Sequence, residues 1–298
     1  MEEILVSVSC LAYNHENYIQ KCLDGFLMQK TNFAFEILIH DDASTDKTVS
    51  IIKDYEKKYP KMIFPIYQKE NQFSKRKGSL SVTFNYPRAK GKYIAMCEGD
   101  DYWSDPLKLQ RQVDFLENNE DYNVCVHNTN ILKNEKISKK EWRVHSKRTT
   151  FTVIDYIYSL FFHTSSIMFR SKEILKINFN PKILQGDMTL FLSLINNKKV
   201  YFIEKSMSVY RLHEGGITND VFYKSKVNTY KSLLLVLDEF DCYSKGRFKK
   251  TIWLKKQTIR ALIFLFNKER NKLVSLCLKA YYYIFKIILF CVVKLKSK

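Results

Sequence analysis

Apolar residues along this chain gather in short runs that end in polar clusters, and the runs alternate with stretches of helical spacing. Ile4 to Cys10 (ILVSVSC) is β-rich and stops at Leu11-Ala12-Tyr13-Asn14, after which Glu16 to Lys30 carries Tyr18, Cys22, Phe26 and Met28 roughly one helical turn apart. The same order repeats with Phe35 to His40 (FEILIH), the turn Asp41-Asp42-Ala43-Ser44-Thr45, and a helix bearing Val49, Ile51, Ile52 and Tyr55. A third strand is predicted at Ile63 to Tyr67. A fourth, Lys92 to Cys97 (KYIAMC), follows a predicted helix and ends at Glu98-Gly99-Asp100-Asp101-Tyr102-Trp103. Asp105-Pro106 then supplies an N-cap and a first-turn proline for a helix through Leu116, and Tyr122 to His127 is a fifth strand.

Most of these strands are apolar throughout rather than alternating, which implies an α/β fold whose mostly parallel sheet is sandwiched by helices. Ligands in such sheets bind at the carboxyl ends of the strands. Tyr13-Asn14, Asp41-Asp42 and Glu98 to Trp103 all fall at those ends, so three loops converge on one rim. Beyond Asn130 the pattern is mixed: a helix at Thr149 to Phe162, a strand at His163 to Arg170, a helix opening at Gly186-Asp187 and running through Leu194, and strands at Val200 to Ile203 and Ser206 to Leu212. From Asp220 onward the character is helical. The expected division is an α/β part at 1–218, in halves 1–130 and 131–218, and a helical basic C-terminal extension at 219–298.

Charge sharpens this division. The 298 residues carry a net charge of +18, with 49 Lys and Arg against 31 Asp and Glu. Residues 244–298 hold fifteen Lys or Arg and a single acid, Glu269, so this tail accounts for +14 and the rest of the chain for the remaining +4. A basic nucleic-acid groove across the whole fold is therefore not expected. Within the tail, Leu273 to Val293 is apolar and aromatic but interrupted by Lys279 and Lys286, seven residues apart and on one helical face. That pattern suits a helix lying on an anionic membrane surface better than one crossing the bilayer; a packed core helix is the alternative.

The start, Met1 to Ser9, has two acids and no basic region before its apolar run, so no signal peptide is expected and the α/β part is placed in the cytoplasm. The seven Cys are scattered without a C-x-x-C pair, and read as small buried hydrophobes. The eight Gly include neither of the common phosphate cradles, G-x-G-x-x-G or G-x-x-x-x-G-K-[ST]. A nucleotide diphosphate would then need its charge neutralised by a cation, and Glu98, Asp100 and Asp101 supply the hard oxygen ligands that Mg²⁺ or Mn²⁺ prefers.

Taken together, VSVSCLAYNHENYIQKCLDGFLMQK, FEILIHDDASTDKT and GKYIAMCEGDDYW followed by Asp105-Pro106 resemble the bacterial family 2 glycosyltransferases, of cell-surface polysaccharide type, with the Rossmann-like A-type nucleotide-sugar fold. The resemblance runs from about Val6 to Thr218. It implies that Tyr13 stacks on or beside the nucleobase and that Asp41 accepts from its N3–H. Glu98-Gly99-Asp100 stands in the place of the family's D-x-D metal motif, with Asp100 as the ligand, Asp101 beside it, and Glu98, a departure from the pattern, reaching ribose or metal. Asp187 stands where the family has its acceptor base. His163 to Ser166 resembles the strand lining the acceptor side, and Trp103 offers an apolar face for a sugar ring. Tyr210 to Gly216 resembles the closing loop, where Arg211 meets the pyrophosphate and His213 completes the metal shell.

The implied activity is inverting transfer of a sugar from a nucleotide-diphospho-sugar, UDP-linked by family habit, to a glycan or glycolipid hydroxyl. It is metal-dependent and sited at the inner face of the cell membrane. Other readings stand beside it. Asp41-Asp42 is also ordinary turn chemistry, Asp187 a favoured helix cap, and Trp103 a core residue. His15, His40, His127 and His145 are read as structural. The whole chain could instead be an anionic-lipid or nucleic-acid binding protein with a relic site, or a sugar nucleotidyltransferase releasing pyrophosphate.

Overall fold

The structure is a computed structural model that describes residues 3–75, 79–142, 148–158, 162–177, 180, 183, 186–216 and 226–266. Its first half follows the expected alternation: β1 (Ile4–Ala12), α1 (Ile19–Leu27), β2 (Ala34–Asp41), α2 (Thr48–Lys58), β3 (Ile63–Tyr67) and β4 (Tyr93–Met96). Strand β1 pairs in parallel with β2 on one side and β4 on the other, and β2 pairs in parallel with β3. Burial explains the apolar runs. Val6, Val8, Cys10, Ile37 and Ile39 are all inaccessible, and Leu23 and Phe26 of α1 pack into the same core. The helix expected before β4 is instead one π-helical turn, Ser81–Asn85, followed by a single tight turn, Tyr86–Arg88. Asn85 there spends its amide on Ser9 Oγ and the carbonyls of Cys10 and Leu38, which ties the segment across the sheet.

The other half of the sheet is mixed. After β5 (Tyr102–Trp103) and α3 (Lys108–Asn118) come β6 (Tyr122–Lys133), β7 (Lys136–Glu141), β8 (Thr150–Phe151), α4 (Val153–Tyr158), β9 (Met168–Arg170), α5 (Gly186–Leu194) and β10 (Lys199–Leu212). The order is β3-β2-β1-β4-β9-β6-β10-β5, with β9 antiparallel to both β4 and β6, β10 parallel to β6, and β5 antiparallel to β10. The two strands expected at 200–203 and 206–212 are one strand, β10, whose register against β6 shifts between Ile203 and Ser208. The polar interruption at Glu204-Lys205 marks that irregularity rather than a turn. Of the expected strand 163–170 only Met168–Arg170 is a paired strand; Thr164–Ser166 is a tight helical turn capped by the His163 side chain. The helix expected to open at Asp105-Pro106 starts at Lys108 instead, with Leu107 at its N-cap and no side-chain cap; the Asp105 carboxylate accepts the N–H of Leu107 at 2.8 Å in the turn before it.

The chain divides into two compact units. The first comprises Met1–Phe151, Phe161–Pro181 and Asn197–His213 and holds the whole sheet. The second is helical: α4, α5, α6 (Lys226–Tyr243) and α7 (Lys249–Phe266). The segments 152–160 and 182–196 group with the later helices, so these two units interleave along the sequence. In the second unit Tyr156 stacks on Phe191 with ring centroids 4.3 Å apart, and Val236, Leu237, Phe240, Ile252 and Ile259 are buried. No helix among the described residues is long and apolar enough to cross a membrane. The stretch Leu273 to Val293 lies outside the described residues.

Candidate active site

The rim of the first unit is built from loops at the carboxyl ends of β1, β2 and β4, together with the end of β10. The loops after β1 and β2 are zipped together by backbone donors: Asn14 N–H to Ser44 Oγ, His15 N–H to Thr48 Oγ1 and Glu16 N–H to Asp46 Oδ2, at 2.7 to 3.0 Å. Asn14 and Ala43 adopt left-handed backbone (φ 53° and 64°), the conformation a sharp exit from a strand requires. Tyr13, 44% exposed, therefore stands on a fixed loop with its ring open to solvent. Asp41 is buried at the end of β2. Its carboxylate accepts both the hydroxyl and the N–H of Ser44. The turn contacts expected of Asp41 are made, one hydrogen bond to each carboxylate oxygen, and each oxygen keeps further acceptor capacity. Burial raises its pKa, against the lowering effect of those two bonds.

The acidic loop is where the predicted residues meet. Asp100 Oδ2 lies 3.1 Å from His213 Nε2 and 3.8 Å from His15 Nε2. Burial by itself would raise the Asp100 carboxyl, but the His213 hydrogen bond and the His15 imidazole hold it below the usual carboxylate range. Asp101 points into the protein, 2% exposed, accepts the backbone N–H of Arg211 at 2.9 Å and faces His163 Nε2 at 3.7 Å. Its pKa is pushed well up by burial and then by the Asp100 charge. Burial brings His163 down to about 4, so the ring is neutral at pH 7. Glu98 is half-buried, and its carbonyl accepts from the N–H of Asp101 and the thiol of Cys22.

Arg211 is placed by the same loop. Its Nη1 donates to the Asp100 carbonyl at 2.6 Å, and its guanidinium lies over the rings of Tyr102 (4.6 Å) and Tyr18 (5.3 Å). Tyr18 also packs against His213, ring centroids 4.5 Å apart, and Lys21 lies over Tyr102. His15, Tyr18, Lys21 and Tyr102 were not among the sequence candidates. Their signal was present in NHENYIQK, where His15, Tyr18 and Lys21 recur every third residue and so share one side of the helix start.

One expectation is corrected. Trp103, expected to offer a face to a sugar, is a core residue, 1% exposed, packed edge-on against Phe26, with its indole N–H donated to the Ser165 carbonyl. An aromatic group does stand near His163: Tyr210 and Trp142 lie 4.4 and 4.9 Å from its ring. His163 itself is buried and bonded to Ser165 Oγ, and Asp101 is equally enclosed, so neither presents a free side chain to a ligand.

Asp187 belongs to the second unit, in the first turn of α5. The residue is exposed, and its pKa is nevertheless raised above the usual carboxylate value by desolvation, against the pull of the Asp187 and Met188 amides. Buried Tyr156 of the same unit is raised in turn, by burial and then by the Asp187 charge.

A divalent cation is the group this rim implies. Among the described residues no three His, Cys, Asp or Glu side chains are grouped to hold an ion unaided. Asp100 and His213 do fit as a pair, because 3.1 Å is the separation of two neighbouring ligands on one ion, about 3 Å for bonds of about 2.1 Å at a right angle. Mg²⁺ and Mn²⁺ commonly take a carboxylate and complete their shell with phosphate oxygens and water.

Two solved structures share the architecture: residues 1–349 of S. aureus TarS in complex with UDP-GlcNAc (TM-score 0.62, 18% identity, 88% of this chain and 80% of that one), and the mannosyltransferase PcManGT from Pyrobaculum calidifontis in complex with GDP-Man and Mn²⁺ (TM-score 0.58, 13% identity, 98% and 87%). At such identities the likeness is one of fold. The sheet order, its antiparallel strand β9 and the acidic loop after β4 define an A-type, Rossmann-like glycosyltransferase fold. The chain belongs to glycosyl transferase family 2, whose model matches residues 7–193. It is 33% identical over 221 residues to an uncharacterized protein of Mycobacterium tuberculosis, covering 73% of this chain and 61% of that protein's length.

Proposed function

We propose that this chain is an inverting glycosyltransferase that moves a sugar from a nucleotide-diphospho-sugar, UDP-linked, to a hydroxyl of a growing cell-surface glycan or glycolipid. The observation that carries this reading is the Asp100–His213 pair at the rim of a family 2 fold, flanked by the Arg211 guanidinium. Residues 1–218 form the catalytic part, with the nucleotide half at 1–130, and 219–298 the helical basic extension.

In this mechanism Asp187 takes the proton of the acceptor hydroxyl as its oxygen attacks the anomeric carbon from the face opposite the leaving nucleotide. A raised pKa favours that role, since a base poised nearer neutral pH accepts a proton more readily than an ordinary carboxylate. No covalent glycosyl-enzyme forms, so one carboxylate suffices. Tyr13 stacks beside the base, and Asp41 and Glu98 contact uracil and ribose. Arg211, braced on the Asp100 carbonyl, meets the diphosphate where negative charge develops. Asp100 and His213 would hold a divalent cation, Mg²⁺ or Mn²⁺, which would neutralise that charge further. Asp101 and His163 shape the acceptor side from within the wall.

The placement is cytoplasmic, at the inner face of the membrane, with the basic helices against anionic lipid. Helix α7 supports this: Lys249, Lys250, Trp253 and Arg260 are exposed together on a segment rich in cations. No nucleic-acid partner is proposed.

The test is a panel of UDP- and GDP-sugars, assayed for transfer or slow hydrolysis with Mn²⁺, with Mg²⁺ and with EDTA. Turnover lost in EDTA and in Asp187→Asn, with nucleotide binding retained in the variant, supports the reading. Undiminished transfer by Asp187→Asn removes the mechanism.

A further inference from the structure

His15 has no hydrogen-bond partner for either ring nitrogen. Nδ1 is buried and unpartnered, and Nε2 has only the Asp100 carboxylate before it, at 3.8 Å, too far for a hydrogen bond. A histidine kept for structure normally has its buried nitrogens satisfied. Its backbone, by contrast, is held firmly. The N–H donates to Thr48 Oγ1 at 2.7 Å, the neighbouring amides of Asn14 and Glu16 are bonded to Ser44 and Asp46, and the His15 carbonyl accepts from Tyr18 and Ile19 at the start of α1. The acidic loop makes room for the ring: a Cβ at position 99 would stand 2.8 Å from His15 Nδ1, so the glycine between Glu98 and Asp100 is what lets the imidazole lie against the loop.

We propose that His15 is a second imidazole ligand, so that Asp100, His213 and His15 form a site of one carboxylate and two imidazoles that selects Mn²⁺-like cations over Mg²⁺. The inference rests on the proposed metal dependence and goes beyond it by naming a ligand and a selectivity. The two imidazoles lie on the same Oδ2, at 3.1 and 3.8 Å. Neighbouring ligands of one ion are about 3 Å apart, so the His15 ring needs to approach by less than about 1 Å, and a bound cation supplies the attraction. Imidazole nitrogen suits first-row transition ions, with Mn²⁺ the weakest of that series, whereas Mg²⁺ favours carboxylate, phosphate and water oxygens. Two nitrogens out of three protein ligands therefore bias the site away from Mg²⁺ and toward first-row transition ions, Mn²⁺ among them.

Pulsed EPR on the full chain loaded with Mn²⁺ and UDP reads this without any turnover. The expected spectrum shows coupling to two imidazole nitrogens in the wild type and to one in His15→Ala or His213→Ala. Calorimetry should give a Mn²⁺ affinity lowered by ~10-fold or more in His15→Ala, and a Mg²⁺ affinity changed by less than ~3-fold. A single nitrogen in the wild type, or an unchanged Mn²⁺ to Mg²⁺ ratio in His15→Ala, overturns the inference and leaves the Asp100–His213 reading intact. If the wild type binds no Mn²⁺ with UDP present, both fall. Should His15→Ala fail to fold, the nitrogen count on wild-type protein carrying ¹⁵N-histidine decides alone.

Discussion

The backbone N–H of Arg211 donates to Oδ1 of Asp101 at 2.9 Å, joining the acidic loop to the end of β10 across 110 residues of chain. Asp101 thus fixes the height at which Arg211 and His213 stand over Asp100. It does so from a buried position that disfavours its charge.

Replacing Asp101 with Ala leaves the Arg211 amide unpaired and should lower unfolding free energy by about 1–3 kcal/mol. Asp101→Asn keeps an acceptor oxygen and removes the buried charge. Because the folded pKa is raised, the native state holds a proton that the unfolded state has released, so wild-type stability falls as pH rises above about 4 through the folded value. Urea midpoints measured from pH 4 to 8 should show Asp101→Asn gaining on the wild type across that range; a constant difference contradicts the assignment.

Lys108 is fully enclosed, its ammonium 3.9 Å from the Trp103 ring and without a hydrogen-bond partner. Burial brings its pKa down to about 7, against the small opposing pull of Cys97 and Cys125. The unfolded chain keeps its proton up to about pH 10.4, so the charged Lys108 destabilises the fold fully below pH 7 and progressively less toward pH 10. Lys108→Met fills the same space without charge. It should be more stable than the wild type by a few kcal/mol at pH 6, with the gap closing at pH 9.5.

Two glycines predict opposite kinds of failure. At Gly91 a Cβ would lie 2.5 Å from the Ser7 nitrogen and 2.7 Å from the Val6 carbonyl carbon, atoms of the sheet backbone that cannot step aside. Gly91→Ala should cost about 3 kcal/mol or more, read as a large fall in thermal midpoint. At Gly99 the nearest atom belongs to the His15 side chain, which can swing away. Gly99→Ala should therefore fold with a modest loss of stability and bind Mn²⁺ more weakly.

A base must be unprotonated to act, so transfer should fall as pH drops through the pKa of Asp187. Since that pKa is raised by lost hydration, the acid limb of kcat/KM should lie above about pH 4. A limb at or below pH 4, measured with a saturating acceptor, counts against Asp187 as the base.

The sheet's parallel half was legible because β1, β2 and β4 are buried on both faces, so their short runs are mostly apolar and rich in β-branched residues. Strand β5 is two residues long and β9 three, too short to show any period, and the extended strand β10 is disguised by Glu204-Lys205 at its register shift. Among the site residues, Asp100, Arg211 and His213 were named from motifs that resemble the family's, and their side chains lie together at the rim. Trp103 was misplaced because a Tyr-Trp pair after an acidic loop reads the same whether the indole faces a ligand or the core.

Residue order alone determined the alternation of strand and helix, the rim on which three loops end, and a charge concentrated in the tail, since these depend on spacing and composition within a few residues. Only the tertiary structure decided that Asp101 turns inward while Asp100 stays at the rim, and that His15 comes to lie against Asp100. Those outcomes depend on atoms more than 80 residues apart in sequence meeting within 4 Å, and on which of two adjacent carboxylates loses its water.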